Sequence, residues 1–573
     1  MLALAAVLLA ALALLAGLQR APNPSGDSAR YIGLADALRE DGRYAFNFRP
    51  HTRFPPGFPL LLAGQRALLG ESYAVALGAV AVQSALALAA GYLLLRSAGR
   101  PDVGLLSIVL LATSPYYFER ATRAVAPEAA YVLASFGALG LLAALARGSR
   151  TSRAGSALAL ALCVVAAIAL RSVGLALLAP LAAALAFPKL RRRFGPAGAA
   201  LWPALVGGAG AQLAWALWQR AHRAELWPGE FMHSYAMQVW LRDPHQPELG
   251  TATLLDWLER GFGNAARQTA AFSELALHLP WVEARWLSPF VVLPLALGAL
   301  GLARRLRGPA PLLEVYALAY GALVLAWPFD EGPRFVLAIF PLALLYVVEG
   351  GSALAARAAR EPRGARRAAA AASAALFLAG VAAVAFEAGP TSRQTVAALA
   401  TWGAAAAVLV LPLEWLSRGG ALVPAALATA LAVVVTAGGL QIAPLARQNV
   451  SGSPAALRHP ETLDAAAWLG QHARADEVVL AGQEAVVHYL TGARTIPFPV
   501  SSDPELLRGV LAAYRVRYWI VLEHEPFPYF LPVERERFER FEAAFPGVTR
   551  LAHRGPGYRI VAVDPERART ATR

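Results

Sequence analysis

Long apolar runs recur along this chain, and clusters of arginine separate them. A helix needs ~17–25 predominantly apolar residues to cross a bilayer. Runs of that kind fall at about 2–18, 73–95, 102–116, 128–146, 155–170, 173–188, 197–218, 287–303, 310–327, 335–350, 368–386, 395–416 and 421–441. They predict a polytopic α-helical membrane protein with about thirteen transmembrane helices. The composition agrees: of 573 residues 57% are hydrophobic and 16% charged, and the mean hydropathy is +0.47. A typical soluble domain is ~25% charged.

The arginines orient the spans. With the N-terminus in the cytoplasm, the basic loops at Arg96/Arg100, Arg147/Arg150/Arg153, 189–193, 304–307 and 357–367 all fall on the cytoplasmic side, as the positive-inside rule requires. The same rule accounts for the net charge of +14, which therefore does not point to nucleic acid. Loops 19–72 and 219–286 then lie outside, and the division is a transmembrane domain, 1–441, and an extracytoplasmic domain, 442–573. Residues 1–18 resemble a signal peptide but have no basic start, so they are expected to stay as an anchor. The single cysteine, Cys163, sits inside an apolar run and forms no intramolecular disulfide.

The tail alternates helical and strand patterns. Helices are expected at 462–475, 484–490, 504–514 and 535–545, and strands at 477–481, 517–522 and 558–563. That order predicts a small α/β domain. No glycine-rich phosphate loop follows a strand, so it reads as a docking or acceptor-contacting module. Loop 219–286 carries Trp227, Trp240, Trp257, Trp281 and Trp286. Interfacial aromatics favour the membrane–water boundary, and a helix lying in that plane over an outer cavity is expected.

The outer charges carry the chemistry, because the positive-inside rule does not explain them. They are Asp27, Arg30 and Tyr31, then His51 and Arg53; Arg120, Arg123 and Glu128; Arg171 between two spans; and Asp330, Glu331 and Arg334. Ionisable residues at helix ends of a membrane protein are functional candidates. A carboxylate can take a proton from an attacking hydroxyl. Arginines can hold a phosphate by paired hydrogen bonds. Together these fit glycosyl transfer from a lipid-phosphate sugar at the outer leaflet. Each residue also has a plainer role open to it. Asp27 suits a helix cap, and Glu128, after Pro127, suits a helix N-terminus. Arg171 could snorkel, the Asp330–Arg334 group could be a local ion pair, and His51 a loop residue. No His/Cys cluster has zinc spacing; a divalent cation between Asp27 and Glu128 stays open.

Gly26-Asp27-Ser28-x-x-Tyr31, Gly42-x-Tyr44 and Pro55-Pro56-Gly57-Phe58-Pro59-Leu60-Leu61-Leu62 resemble the first outer loop of GT-C integral-membrane glycosyltransferases. The group resembled is the bacterial one related to protein O-mannosyltransferases and the lipid A aminoarabinose transferase. Arg123-x-x-x-Pro127-Glu128 resembles that family's second acidic motif, where Asp is commoner. Pro333-Arg334-Phe335, followed by Pro341, resembles a late membrane helix of the family. The resemblance implies inverting transfer of a hexose or pentose from a polyprenyl-phosphate sugar to an envelope lipid, glycan or protein. The reaction would take place on the outer face of the bacterial inner membrane. It implies Asp27 as base and Glu128 as second carboxylate, with Arg53, Arg123, Arg171 and Arg334 on donor phosphate. Arg30, Tyr31, His51, Asp330 and Glu331 would line the substrate site. Some relatives hold phosphate with a lysine. The only lysine here, Lys189, is on the expected cytoplasmic side, so arginines take that work. Two rival functions remain at this stage: a lipid-linked oligosaccharide polymerase or ligase, and a lipid or polysaccharide transporter. The transporter would place charges near mid-membrane in two related halves.

Overall fold

The computed structural model describes residues 1–147, 153–222, 235–244, 246, 249–279, 288–358, 422–452, 459–499, 503–523 and 534–571. The expected spans 368–386 and 395–416 lie outside the described residues, as do Trp227, Trp281 and Trp286.

Most of the chain is helical, and the helices follow the apolar runs. Leu2–Ala16, Tyr73–Ser97, Pro101–Ala112, Glu128–Ala146, Arg153–Leu170, Leu201–Ala221, Pro289–Leu306, Leu312–Leu325, Phe340–Ala358 and Leu422–Ser451 each cover an expected span. Two of the described helices, Tyr73–Ser97 and Glu128–Ala146, are long and apolar enough to cross a membrane, or up to three if Ser172–Ala186 and Pro188–Phe194, bent by 93°, are one span. Helices such as Leu2–Ala16 and Pro101–Ala112 are apolar but shorter. Large apolar side chains point outward from this body, among them Leu158, Leu162, Trp202, Val206 and Leu213. That is the pattern of a helical surface whose solvent is apolar. Inside, small residues let helices touch. A Cβ on Gly301 would collide with the Tyr346 carbonyl and one on Gly350 with the Leu297 carbonyl, so Pro289–Leu306 and Phe340–Ala358 meet backbone to backbone.

The first loop is an ordered unit. Helix Gly26–Glu40 is followed by a two-residue hairpin, β1 (Ala45–Phe46) paired antiparallel with β2 (Arg49–Pro50). Asn47 turns it at φ 61°, a backbone region that Asn tolerates well. The chain then returns through Phe54 to helix Gly57–Leu69. Tyr31 stacks on Phe54 with centroids 4.6 Å apart and meets Phe58 edge-on at 5.0 Å. Tyr44 donates to the Phe54 carbonyl at 2.7 Å. The aromatic return segment thus locks the helix that carries Asp27.

In the tryptophan-rich loop, helix Leu254–Leu277 starts on a Thr253/Asp256 capping box. It leaves Leu254, Leu255, Leu258 and Phe262 exposed while burying Asn264, Ala266 and Ala270. One side of its first turns is therefore apolar and outward.

The C-terminal part is a five-stranded mixed sheet in the order β4-β3-β5-β7-β6. Its strands are β3 (Val478–Ala481), β4 (Arg494–Pro497), β5 (Val516–Leu522), β6 (Thr549–Gly555) and β7 (Tyr558–Val563). β3 pairs in parallel with β4 and β5; β7 is antiparallel to β5 and β6. Helices Pro460–His472, Glu484–Thr491, Pro504–Ala513 and Glu534–Ala544 accompany it. Trp519, fully buried, packs edge-on against Phe538 at 5.0 Å and Phe541 at 5.6 Å.

Candidate active site

Asp27 sits in the first turn of Gly26–Glu40, but it is not the cap. Ser25 is: its hydroxyl accepts the Ser28 N–H at 3.3 Å. The Asp27 carboxylate instead meets Arg334, whose Nη1 donates to Oδ2 at 3.1 Å. Arg334 opens the short helix Arg334–Leu337 behind Pro333. Its Nε donates to Glu128 Oε1, and Nη1 also reaches Glu331 at 3.1 Å. One guanidinium therefore joins the two carboxylates that the sequence singled out.

Glu128, the first residue of its helix, is ringed by arginines. Arg171 Nη1 lies 3.3 Å from Oε1 and Arg120 Nη2 3.6 Å. Arg171 is held in place by the ring of Phe335, 5.6 Å from its guanidinium carbon. Arg53 stands over Phe54 and Tyr235 at 5.2 and 5.8 Å. Its buried Nε has no hydrogen-bond partner among the described residues, and it bears on Asp27 electrostatically. Burial by itself would raise the Asp27 carboxyl, but Arg334, Arg53, Arg30 and Arg120 outweigh it and hold it below its ordinary 3.8. Asp27 is therefore ionised at neutral pH, as an acceptor of a proton must be.

Not every expected residue joins this cluster. Arg123 is buried elsewhere: its Nε donates to Asn449 Oδ1 at 2.5 Å and its Nη2 to Gln448 Oε1 at 3.2 Å. His51 is buried within the loop, where its Nε2 accepts the Phe54 N–H at 2.9 Å and its carbonyl accepts from Trp218 Nε1 at 2.9 Å. Asp330 is exposed and caps its own turn through the Gly332 N–H at 2.9 Å. Arg30 points away from Arg334 to Glu484 of the C-terminal domain. Tyr31 is buried against Phe54 and Phe58 at the back of the cluster.

Three participants have no role assigned from the sequence. Arg120 stands among the outer charges, three residues before Arg123, but the resemblance gives it no part. Glu484 lies 454 residues from Arg30, and no local pattern links them. Glu274, on Leu254–Leu277, is pushed up to about 7 by burial, with Asp330 nearby adding to the shift. A divalent ion between Asp27 and Glu128 does not fit, because the Arg334 guanidinium fills that position. No group of three metal-capable side chains converges among the described residues.

Beside the cluster opens a small groove. Val80, Leu88, Leu111, Val132 and Leu337 line it, and Arg120 and Glu128 stand at its polar end.

No protein-family model matches the chain, and no curated protein matches it. Solved structures do. The architecture is the GT-C fold, on the evidence of matches that span the whole chain. ArnT from Cupriavidus metallidurans bound to undecaprenyl phosphate is similar at TM-score 0.52 and 15% identity, over 98% of this chain and 97% of that one. Its apo state matches at 0.53 and 14%, over 98% of each. The Archaeoglobus fulgidus oligosaccharyltransferase tethered to an acceptor peptide matches at 0.53 and 12%, over 97% of this chain and 74% of that one.

Proposed function

We propose that the chain is a membrane glycosyltransferase. It moves a hexose or pentose from a polyprenyl-phosphate donor to an envelope acceptor on the outer face of the bacterial inner membrane. The observation that carries this is the junction of an apolar groove with an arginine cluster at Arg120 and Glu128. A lipid-linked phosphate has those two chemistries joined in the same way. ArnT, which has this fold, was solved with undecaprenyl phosphate bound, which supports the reading. In it, residues 1–441 form the transmembrane domain of about thirteen spans, with the N-terminus cytoplasmic and 442–573 outside.

The chemistry follows from the charges. The acceptor hydroxyl oxygen attacks the sugar's anomeric carbon and its proton passes to Asp27. The bond from that carbon to the phosphate oxygen breaks, and its electron pair stays on the phosphate. Attack opposite the leaving group inverts the anomeric centre. Arg53 is the cation of the cluster that no described carboxylate pairs with, so it is assigned to the phosphate first. Arg120, Arg171 and Arg334 balance the remaining charge across Glu128. Arg123, committed to Asn449 and Gln448, supports the helix that carries Arg120 instead.

The test is transfer by purified full-length protein from undecaprenyl-monophosphate hexoses and pentoses, with envelope extract as acceptor. Transfer that Asp27→Asn abolishes (roughly 10³-fold or more) without loss of folded protein is the expected result. Transfer only from a polyprenyl-diphosphate oligosaccharide, or full activity in Asp27→Asn, would sink it.

A further inference from the structure

In the C-terminal sheet the chain leaves β3 for β4 on one side, then crosses to β5 on the other. In open α/β sheets such a reversal leaves a crevice at the carboxyl ends of the strands, and ligands bind there. Here the crevice is closed from within. Glu534 accepts the Leu522 N–H at 3.2 Å and lies against Gly482, where a Cβ would collide with its Oε1. From the same turn, Gln483 and Glu484 reach out to the first-loop helix. Glu484, with a side chain 7% exposed, pairs with Arg30. Gln483 Oε1 lies 3.0 Å from where a Cβ on Gly26 would stand, one residue before Asp27. The contact extends sideways: Asn47 Nδ2 donates to the Thr495 carbonyl at 3.1 Å, and Thr495 Oγ1 donates to the Glu484 carbonyl at 3.0 Å. Ala485 and Val486 are buried in the same apolar core as Ile32 and Ala35.

Asp27 and Arg30, three residues apart on one helix, share a face. Arg30 stands under the pull of both Glu484 and Asp27. The geometry points to Glu484, with Gln483 beside it, as a positioning residue for Asp27: the domain uses its carboxyl-end crevice to grip the catalytic helix, not to take a ligand. A buried ion pair adds little net stability over apolar packing. What it adds is a fixed direction for Arg30 and for the helix start. A misplacement of ~1 Å at a reacting group costs about a hundredfold in rate.

This inference rests on the reading of Asp27 given above, and its test separates the two. Full-length Glu484→Gln, Glu484→Asp, Arg30→Gln, the Arg30→Gln/Glu484→Gln double variant and Asp27→Asn would be assayed on the same undecaprenyl-monophosphate sugars. Glu484→Gln is expected to lower kcat per folded enzyme about ten- to a hundredfold, with donor KM close to wild type; its thermal midpoint falls as well, because Gln leaves the buried Arg30 cation uncompensated. Glu484→Asp restores most of kcat, and the double variant is no worse than its poorer single. Wild-type kcat in Glu484→Gln, single losses that multiply in the double, or a loss that vanishes when kcat is counted per folded enzyme below the midpoint would overturn it. If Glu484→Gln does not fold, Gln483→Ala carries the test: a severalfold loss of kcat supports the inference and wild-type kcat overturns it. An active Asp27→Asn removes the parent reading; an inactive one beside a fully active Glu484→Gln removes only this one.

Discussion

Arg334 is the residue on which the cluster turns, because among the described residues it alone pairs with both Asp27 and Glu128. Replacing it with Gln leaves Asp27, Glu128 and Glu331 facing each other without their shared cation. We expect Arg334→Gln to lose at least about 10²-fold in kcat. Arg334→Lys should rescue little, because one ammonium nitrogen does not reproduce a planar guanidinium that meets Glu128 through Nε and Asp27 through Nη1. A Lys variant with wild-type kcat would show that charge alone suffices. Glu274 predicts a pH effect. Its folded value, about 7, lies above the ordinary 4.5. As pH rises, the unfolded chain releases this proton first, so stability falls from about pH 4.5 to 7 and stays lower above. Glu274→Gln should therefore stabilise the protein at pH 8 by on the order of 2 kcal/mol, read as a higher thermal midpoint, and leave the midpoint unchanged at pH 4.5. An equal shift at both values would show that the carboxyl is not titrating. The meeting of Asp27, Glu128, Arg171 and Arg334 was readable in the sequence because charges at helix ends away from the arginine-rich loops are conspicuous. Arg123 looked the same, and its amide partners Asn449 and Gln448 carry no charge to mark them. Glu484 could not be read at all, since its partner is distant in the chain and the domain that brings them together is tertiary.

At the scale of elements, the same limit explains which segments the hydropathy pattern found. Helices over apolar runs were legible, including the end of Leu2–Ala16 and the start of Glu128–Ala146. Leu422–Ser451 runs past the apolar stretch ending near 441 because its polar end is held by tertiary bonds. Asn449, fully buried, donates to the Gly17 carbonyl at 2.8 Å and Thr122 Oγ1 at 3.2 Å while accepting from Arg123. That side chain ties three helical segments together. Two strands were missed for a related reason. β4 is a four-residue edge ending in Pro497, and β6 is a polar, mostly exposed edge, TRLAHRG. Neither alternates strongly enough to read as a strand. Asn449→Ala should destabilise the protein by about 2–3 kcal/mol, because it removes the acceptor of the buried Arg123 Nε and the donor to the Gly17 carbonyl. It should also raise donor KM, since Arg120 rides on the helix that Arg123 anchors. A lower midpoint with unchanged KM would confine Asn449 to stability.

For the whole molecule, the proposed function makes two demands on one substrate: a long apolar tail and a compact anion. The groove and the arginine cluster meet each demand separately, so they can be uncoupled. Val132 lies one helical turn from Glu128 and lines the groove. Val132→Trp would fill the groove without changing any charge. Each CH₂ kept out of apolar surroundings costs about 0.8 kcal/mol, so excluding two or three isoprenoid carbons raises KM roughly tenfold or more. The effect should be large for an undecaprenyl-phosphate sugar and small for a methyl-phosphate sugar, which has no tail to place in the groove. The value of kcat at saturation should hold in both, because the reacting groups have not moved. Arg53→Gln should do the converse, weakening both donors alike, since the phosphate is common to them. If Val132→Trp penalises short and long donors equally, the groove is not where the lipid tail runs, and the arginine cluster must receive its anion by another path.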